Sequence, residues 1–196
     1  EFFDEYTLYS PYATSLRMSG IGYQNQKEET GFQSDYNQLD SYIDSLRQAI
    51  KTPFSPYQRL GVENNGEYQQ LNDCILQIEN EYYSSVRPKQ TPLSNEQPTL
   101  ALKRRGIQYV ELRSLDVNAY HPLGISETQS RFLEVFLLFC MLQSSPSITK
   151  SEQLMIQSND ALVPKQGRNP KLILQRLDKQ ILLKHWAQEL FESMSN

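Results

Sequence analysis

The chain has 196 residues, 38% hydrophobic and 11% aromatic with 12 tyrosines among them, and a formal charge of −4. That length supports a core hiding roughly 70% of the unfolded surface. The aromatic content argues against disorder, and the charge balance offers no basic field to a nucleic-acid backbone, so neither nucleic acid nor membrane is an expected partner. Two cysteines, Cys74 and Cys140, exclude a disulfide scaffold and fit a reducing cytoplasm. The longest apolar run, Val135 to Leu142, is too short to span a bilayer, and no signal peptide is recognisable. Glu1 opens the chain without a methionine, as a processed start or a piece cut from a longer protein would.

Residues 1–12 (Phe2, Phe3, Tyr6, Tyr9, Tyr12, broken by Pro11) suggest an extended segment or short strand. In residues 13–23, Ser15, Arg17 and Ser19 share a side if the stretch is extended, and Gly20 and Gly22 allow a turn or a close approach. Arg17 followed by the Gly-flanked Tyr23 suits either a substrate-binding loop or a Tyr-capped turn. The spacing of Leu39, Tyr42, Ile43, Leu46, Ala49 and Ile50 predicts a helix over 35–51, capped by Ser34 or Asp35 and ended by Thr52-Pro53. Asn65-Gly66 predicts a hairpin turn. Residues 71–83 read as a strand carrying Glu79, Glu81 and Tyr83 on one side, followed by Arg87-Pro88-Lys89 and a polar, Pro-rich loop to Pro98.

A second strand is expected over 104–117. Its alternation puts Tyr109, Glu111 and Arg113 on one face and Val110 and Leu112 on the other, which is apolar enough for a core. Glu111 and Arg113 then lie roughly 6.6 Å apart at Cα, two strand rises. A carboxylate can hold Mg²⁺, and a guanidinium can clamp a carboxylate or phosphate. The pair suits a cleft, or equally a cross-strand ion pair on a solvated face. His121 and His185 are too few for a His-rich metal site. Ser126 with Gln129 predicts a capping box opening a long, buried helix over 126–143, expected to be the main core element. Ser151 is expected to cap a shorter helix, Gly167 to Pro170 to turn, and 172–194 to form a last helix. The sum is one compact α+β unit: a mostly antiparallel sheet covered by helices.

The stretches PYATSLRMSGIGYQN (11–25), LRQAIKTP (46–53), ILQIENEYYSSVRPK (75–89), RGIQYVELRSLDVN (105–118), RFLEVFLLFC (131–140) and QGRNPKL (166–172) resemble, in order, those of glutamate–cysteine ligases of the proteobacterial type. The resemblance implies the C-terminal portion of a glutamine-synthetase-like catalytic fold that uses ATP and Mg²⁺. ATP phosphorylates the γ-carboxylate of glutamate and the cysteine amine attacks the acyl phosphate, giving γ-glutamylcysteine, the first step toward glutathione. Carried over by position, Glu111 is implied as a Mg²⁺ ligand and Arg113 as the catalytic guanidinium. Arg17 is implied as a binder of substrate carboxylate or phosphate, and Tyr23 and Tyr83 as walls of the cysteine pocket; Glu79 and Glu81 receive no role beyond strand structure.

Full-length members carry a further region before PYATSLR, with more acidic metal ligands and nucleotide contacts. The chain alone is therefore expected to be inactive, to bind ATP weakly or not at all, and to depend on the remainder of the same polypeptide. A non-catalytic binding or regulatory module that retains the ligase half-sheet is the alternative. A carboxylate–amine ligase using another amine is a third.

Overall fold

The computed structural model describes residues 2–22 and 30–195. In chain order its elements are β1 (Phe2–Asp4), β2 (Thr7–Leu8), α1 (Leu39–Ala49), α2 (Ser55–Leu60), β3 (Glu63–Asn64) and β4 (Glu67–Tyr68). A 3-10 turn (Glu79–Glu81), β5 (Val86–Lys89), α3 (Pro98–Arg105) and β6 (Tyr109–Leu112) follow. The chain continues through α4 (Glu127–Leu142), α5 (Lys150–Gln166), β7 (Ile173–Arg176), β8 (Lys179–Leu182) and α6 (Leu183–Ser195). Helices mixed with small antiparallel sheets make the fold α+β. The residues group into two compact units, Tyr23–Ser114 and Glu1–Gly22 with Leu115–Asn196.

In the Tyr23–Ser114 unit, Tyr42, Ile43, Leu46 and Ala49 of α1 pack with Leu76, Tyr82 and Leu102 as the core. Each large side chain of that cluster contributes roughly 1.5–3 kcal/mol by leaving water. The helix begins at Leu39 rather than at Asp35, because Asp35 accepts the Asn37 N–H at 2.8 Å in a local turn and Ser34 is buried. The expected hairpin forms: β3 pairs with β4, and Asn65 (φ 54°) and Gly66 (φ 84°) both take the left-handed values that a two-residue turn needs.

The expected strand over 71–83 does not form. Side-chain amides fold this stretch back on itself: Asn72 accepts from Cys74 N–H and donates to the Gln77 carbonyl, while the Gln77 side chain accepts from Leu71 N–H. Its remaining donors cover the exit of α1, with Leu76 N–H on the Ala49 carbonyl and Ile75 N–H on that of Thr52. The strand that pairs with β6 is β5, antiparallel, and it contains the RPK run. Residues 98–105, where the loop was expected to end at Pro98 and a strand to begin at 104, are the helix α3: Pro98 sits in its first turn and Lys103, Arg104 and Arg105 in its last, where cations suit the helix dipole. The strand expected over 104–117 is thus confined to Tyr109–Leu112.

In the other unit, the capping box at Ser126 and Gln129 starts α4 as expected. The helix is not buried: Phe132 is 44% exposed, Val135 47% and Met141 73%. It is apolar around most of its circumference, and α6 meets it at Phe132, whose ring lies 6.0 Å from Phe191. Thr149 with Glu152, not Ser151, caps α5. The helix expected over 172–194 is a hairpin followed by a shorter helix. β7 and β8 pair from Ile173↔Leu182 to Arg176↔Lys179 around Leu177, a non-glycine residue at φ 52°. Asn159 of α5 holds β7 by donating to the Gln175 carbonyl (2.7 Å) and accepting its N–H (3.1 Å), as a neighbouring strand would. Among the described residues no helix is long and apolar enough to cross a membrane.

Candidate functional site

The β5–β6 ladder sets Val86 opposite Leu112, Arg87 opposite Glu111, Pro88 opposite Val110 and Lys89 opposite Tyr109. Side chains alternate, so Arg87, Lys89, Tyr109, Glu111 and Arg113 share one face. The sequence reading assigned the core to the Val110/Leu112 face. The structure buries neither face of β6, where Tyr109 is 48% and Val110 47% exposed, while on β5 Arg87, on the charged face, is 6% exposed. Arg87 is buried because α1 and α3 lie on its side. A cavity of about 190 Å³ there is lined by Tyr42, Leu46, Thr99 and Leu102 together with Arg87, Lys89 and Tyr109. Burial pushes the Tyr42 hydroxyl up to about 12, opposed by the positive charge of Arg87. Tyr83, Glu111 and Arg113 are not among the cavity's walls.

Tyr83 and Arg113 meet at the other end of the ladder, and Glu111 lies two residues before Arg113 on the same face. The Arg113 guanidinium lies over the Tyr83 ring, 5.0 Å from its centroid, and the Tyr83 hydroxyl donates to the Arg113 carbonyl at 3.0 Å. Arg113 N–H donates to the Ser85 carbonyl at 2.8 Å, so the backbone is pinned on both sides of the residue. Two residues earlier, Glu111 meets Lys89 Nζ at 3.9 Å. Its Oε2 is buried and has no hydrogen-bond partner. This is the oxygen that faces the Lys89 ammonium without hydrogen-bonding it, and a carboxylate oxygen so placed suits a hard cation, which draws its ligands from oxygen. Glu111 therefore fits one position of a Mg²⁺ site, but among the described residues no group of three or more His, Cys, Asp or Glu is placed to complete one.

Arg17 lies in the other unit. Its loop is not extended: Ser19 N–H returns to the Leu16 carbonyl, Met18 N–H bonds Ser15 Oγ, and Gly22 N–H returns to the Ser19 carbonyl. A Cβ at Gly22 would stand 2.0 Å from the Arg17 carbonyl oxygen, the close approach that the sequence suggested. Arg17 N–H donates to Asp116 at 2.8 Å, which joins the PYATSLR stretch to the end of YVELRSLD. Thr14 donates to the Val163 and Pro164 carbonyls, and Arg168 N–H to that of Tyr12, so QGRNP is tied to the same stretch. Tyr23 lies outside the described residues.

Sequence reasoning missed Arg87 and Lys89 as neighbours of Glu111. The available signal was the alternation of Arg87 and Lys89 around Pro88, which an edge strand tolerates. Glu79 and Glu81 sit in a 3-10 turn rather than a strand.

The family model described as glutamate–cysteine ligase matches residues 1–163. The glutamate–cysteine ligase of Pseudomonas aeruginosa (strain UCBPP-PA14) is 52% identical over all 196 residues, which correspond to 37% of its own length. That of Pseudomonas fluorescens (strain Pf0-1) is 51% identical over 195 residues, 36% of its length. Among solved structures, glutamate–cysteine ligase from Francisella tularensis in complex with AMP superposes with a TM-score of 0.86 at 43% identity, over 94% of this chain and 37% of that one. The chain thus spans little more than a third of the relatives it matches.

Proposed function

The chain belongs to the glutamate–cysteine ligase family, and on that premise we propose that both units are part of a catalytic domain that joins the γ-carboxylate of glutamate to the amine of cysteine at the expense of ATP, as a cytoplasmic step of glutathione biosynthesis. The observation that carries this reading is the pairing of Tyr83 with Arg113 two residues from Glu111, within a chain about half identical along its length to glutamate–cysteine ligases. The AMP held by the Francisella relative supports a nucleotide as co-substrate.

In this reading a γ-carboxylate oxygen of glutamate attacks the terminal phosphorus of ATP, and the bond to the ADP oxygen breaks. The cysteine amine then attacks the acyl carbon, loses a proton, and phosphate departs. Arg113 presents a fixed positive charge to the oxygens that gather negative charge in both steps. The Tyr83 ring beneath it limits where that charge can sit. Tyr83 and Tyr23 wall the cysteine side, and Arg17, on a loop closed by Gly22 and Asp116, binds a substrate carboxylate or phosphate. Glu111 would hold Mg²⁺, which when bound neutralises phosphate charge and polarises the transferred group. With one carboxylate ligand of this kind among the described residues, the chain alone is inactive and binds nucleotide weakly or not at all. The remainder of the polypeptide supplies the other ligands and covers the apolar side of α4.

The test is ADP release coupled to detection of γ-glutamylcysteine, with the chain alone and with the full-length ligase carrying it. Turnover only in the full-length protein, lost on Arg113→Ala, is expected. Full turnover in the Arg113→Ala ligase, or none in the unmodified ligase, refutes the reading.

A further inference from the structure

The ENEYY run contains a buried acid that the proposed chemistry does not use. Glu79 is 7% exposed, yet no Lys or Arg among the described residues lies within ion-pairing distance of it. A buried carboxylate without a counter-ion is costly unless its oxygens are hydrogen-bonded. Glu79 spends both oxygens on one residue: Oε2 accepts Thr99 N–H at 2.7 Å and Oε1 accepts the Thr99 hydroxyl at 2.5 Å. Thr99, 1% exposed, lies in the first turn of α3, where free N–H groups and the helix dipole favour a negative charge. Arg47 Nε reaches the Thr99 hydroxyl at 3.3 Å.

Four residues beyond Glu79, the same short segment delivers Tyr83 to Arg113. Between the two, Glu81 closes the turn on Gln77 N–H at 2.6 Å, and Tyr82 sits in the core at 2% exposure against Phe32. The segment from 79 to 83 therefore touches both ends of the stretch that carries the site. At one end Glu79 holds the start of α3, which runs into β6; at the other Tyr83 holds Arg113, which leaves β6. With β5 paired to β6, the loop is closed at both ends.

We propose that Glu79 is a positioning residue for Arg113: its carboxylate fixes α3 to the turn and so sets the height at which the Tyr83 ring meets the guanidinium. The proposal rests on the catalytic role given to Arg113 above. The charge of Glu79 never reaches the reacting atoms. Its effect passes through two hydrogen bonds and a turn of fixed length.

The test uses the full-length ligase with Glu79→Gln, Thr99→Val, the double variant, and Leu174→Ala as a reference at a buried residue of the other unit. Gln places an amide donor against the two Thr99 donors, so one bond is lost and the other weakened. Residues that hydrogen-bond metal ligands directly typically change rates by about 10–100-fold, and Glu79, which acts on Arg113 through Tyr83, is expected toward the low end. Glu79→Gln is expected to lower kcat within that range with the KM for ATP unchanged, Thr99→Val to act in the same direction, and the double variant to be no worse than the stronger single. Deuterium uptake around Arg113 should rise in each. Leu174→Ala should lower Tm while kcat, measured well below Tm, stays within about 2-fold.

If Glu79→Gln keeps kcat within about 2-fold while Arg113→Ala abolishes turnover, the inference is overturned and the proposed function stands. Full activity in Arg113→Ala overturns the function beneath it. Should Glu79→Gln fail to fold, Thr99→Val decides by the same criterion, because it keeps the N–H bond to Glu79.

Discussion

Removing the Tyr83 hydroxyl tests the geometry at Arg113 one contact at a time. Tyr83→Phe keeps the ring beneath the guanidinium and deletes the donor that bonds the Arg113 carbonyl at 3.0 Å. The carbonyl belongs to a half-buried residue, so water can replace part of the loss, and the cost should be about 1 kcal/mol. Tyr83→Leu also removes the aromatic face, adding about 0.5–1 kcal/mol for a cation–π contact of this exposure, beyond the area lost. The lone tryptophan, Trp186, lies in the other unit, so its fluorescence would not report this event. Hydrogen exchange at the Arg113 amide does, because that N–H is bonded to Ser85 across the ladder. Tyr83→Phe should accelerate exchange about 5-fold, since 1.4 kcal/mol corresponds to tenfold. A cycle with Tyr83→Leu and Arg113→Ala should return a coupling of about 0.5–1 kcal/mol for the ring and guanidinium. Unchanged exchange in Tyr83→Phe, or zero coupling in the cycle, would show that the two residues are merely adjacent.

Further outcomes follow from other parts of the molecule. The Arg105 hydrogen bond holds the Glu96 carboxyl at about 2, below its ordinary 4.5. Because the folded value is the lower one, this stabilisation is present above pH 4.5 and fades as pH falls through about 2, and Glu96→Gln should flatten that part of an acid-unfolding curve. Gly22→Ala drives a Cβ into the Arg17 carbonyl, so the full-length ligase should lose substrate affinity before it loses global stability; an unchanged KM for every substrate would remove Arg17 from the site. Leu177→Asn relieves a left-handed backbone at φ 52° and should raise stability by several tenths to about 1 kcal/mol in urea unfolding. A loss there would mean that the Leu177 side chain, 60% exposed, packs more than its exposure implies.

Local chemistry was legible in the sequence where one residue type forces one geometry. Asn65-Gly66 and the Ser126–Gln129 box formed as expected, and the helical spacing in 39–50 located α1. It failed where two periods coexist. Leu174, Leu177 and Ile181 fit a helix as well as they fit a hairpin, and no glycine or asparagine marks the turn at Leu177. It failed again at 71–83, where Asn72 and Gln77 outcompete the sheet for backbone partners. Pro98 and Gly106 bracket α3 and could have been read as its start and stop. Of the candidate site, the sequence showed Glu111 and Arg113 as residue types on one strand face. The contact that joins Arg113 to Tyr83 depends on a pairing partner, β5, that no local pattern announced.

The division of the chain into units bears on the order in which it is made and folded. One unit draws on Glu1–Gly22 and Leu115–Asn196, and the other on the uninterrupted run between them. The contact of Thr14 with Val163 spans 149 positions. Closing so long a loop in a flexible chain costs about 2 kcal/mol more than closing one ten times shorter. The inner unit has no such burden. It can complete its core while the ribosome is still adding α5, and by collapsing it shortens the tether between the two halves of the outer unit. Mutations that slow the inner unit, such as those at Ile43, should therefore delay the outer one as well, although no residue is shared between them.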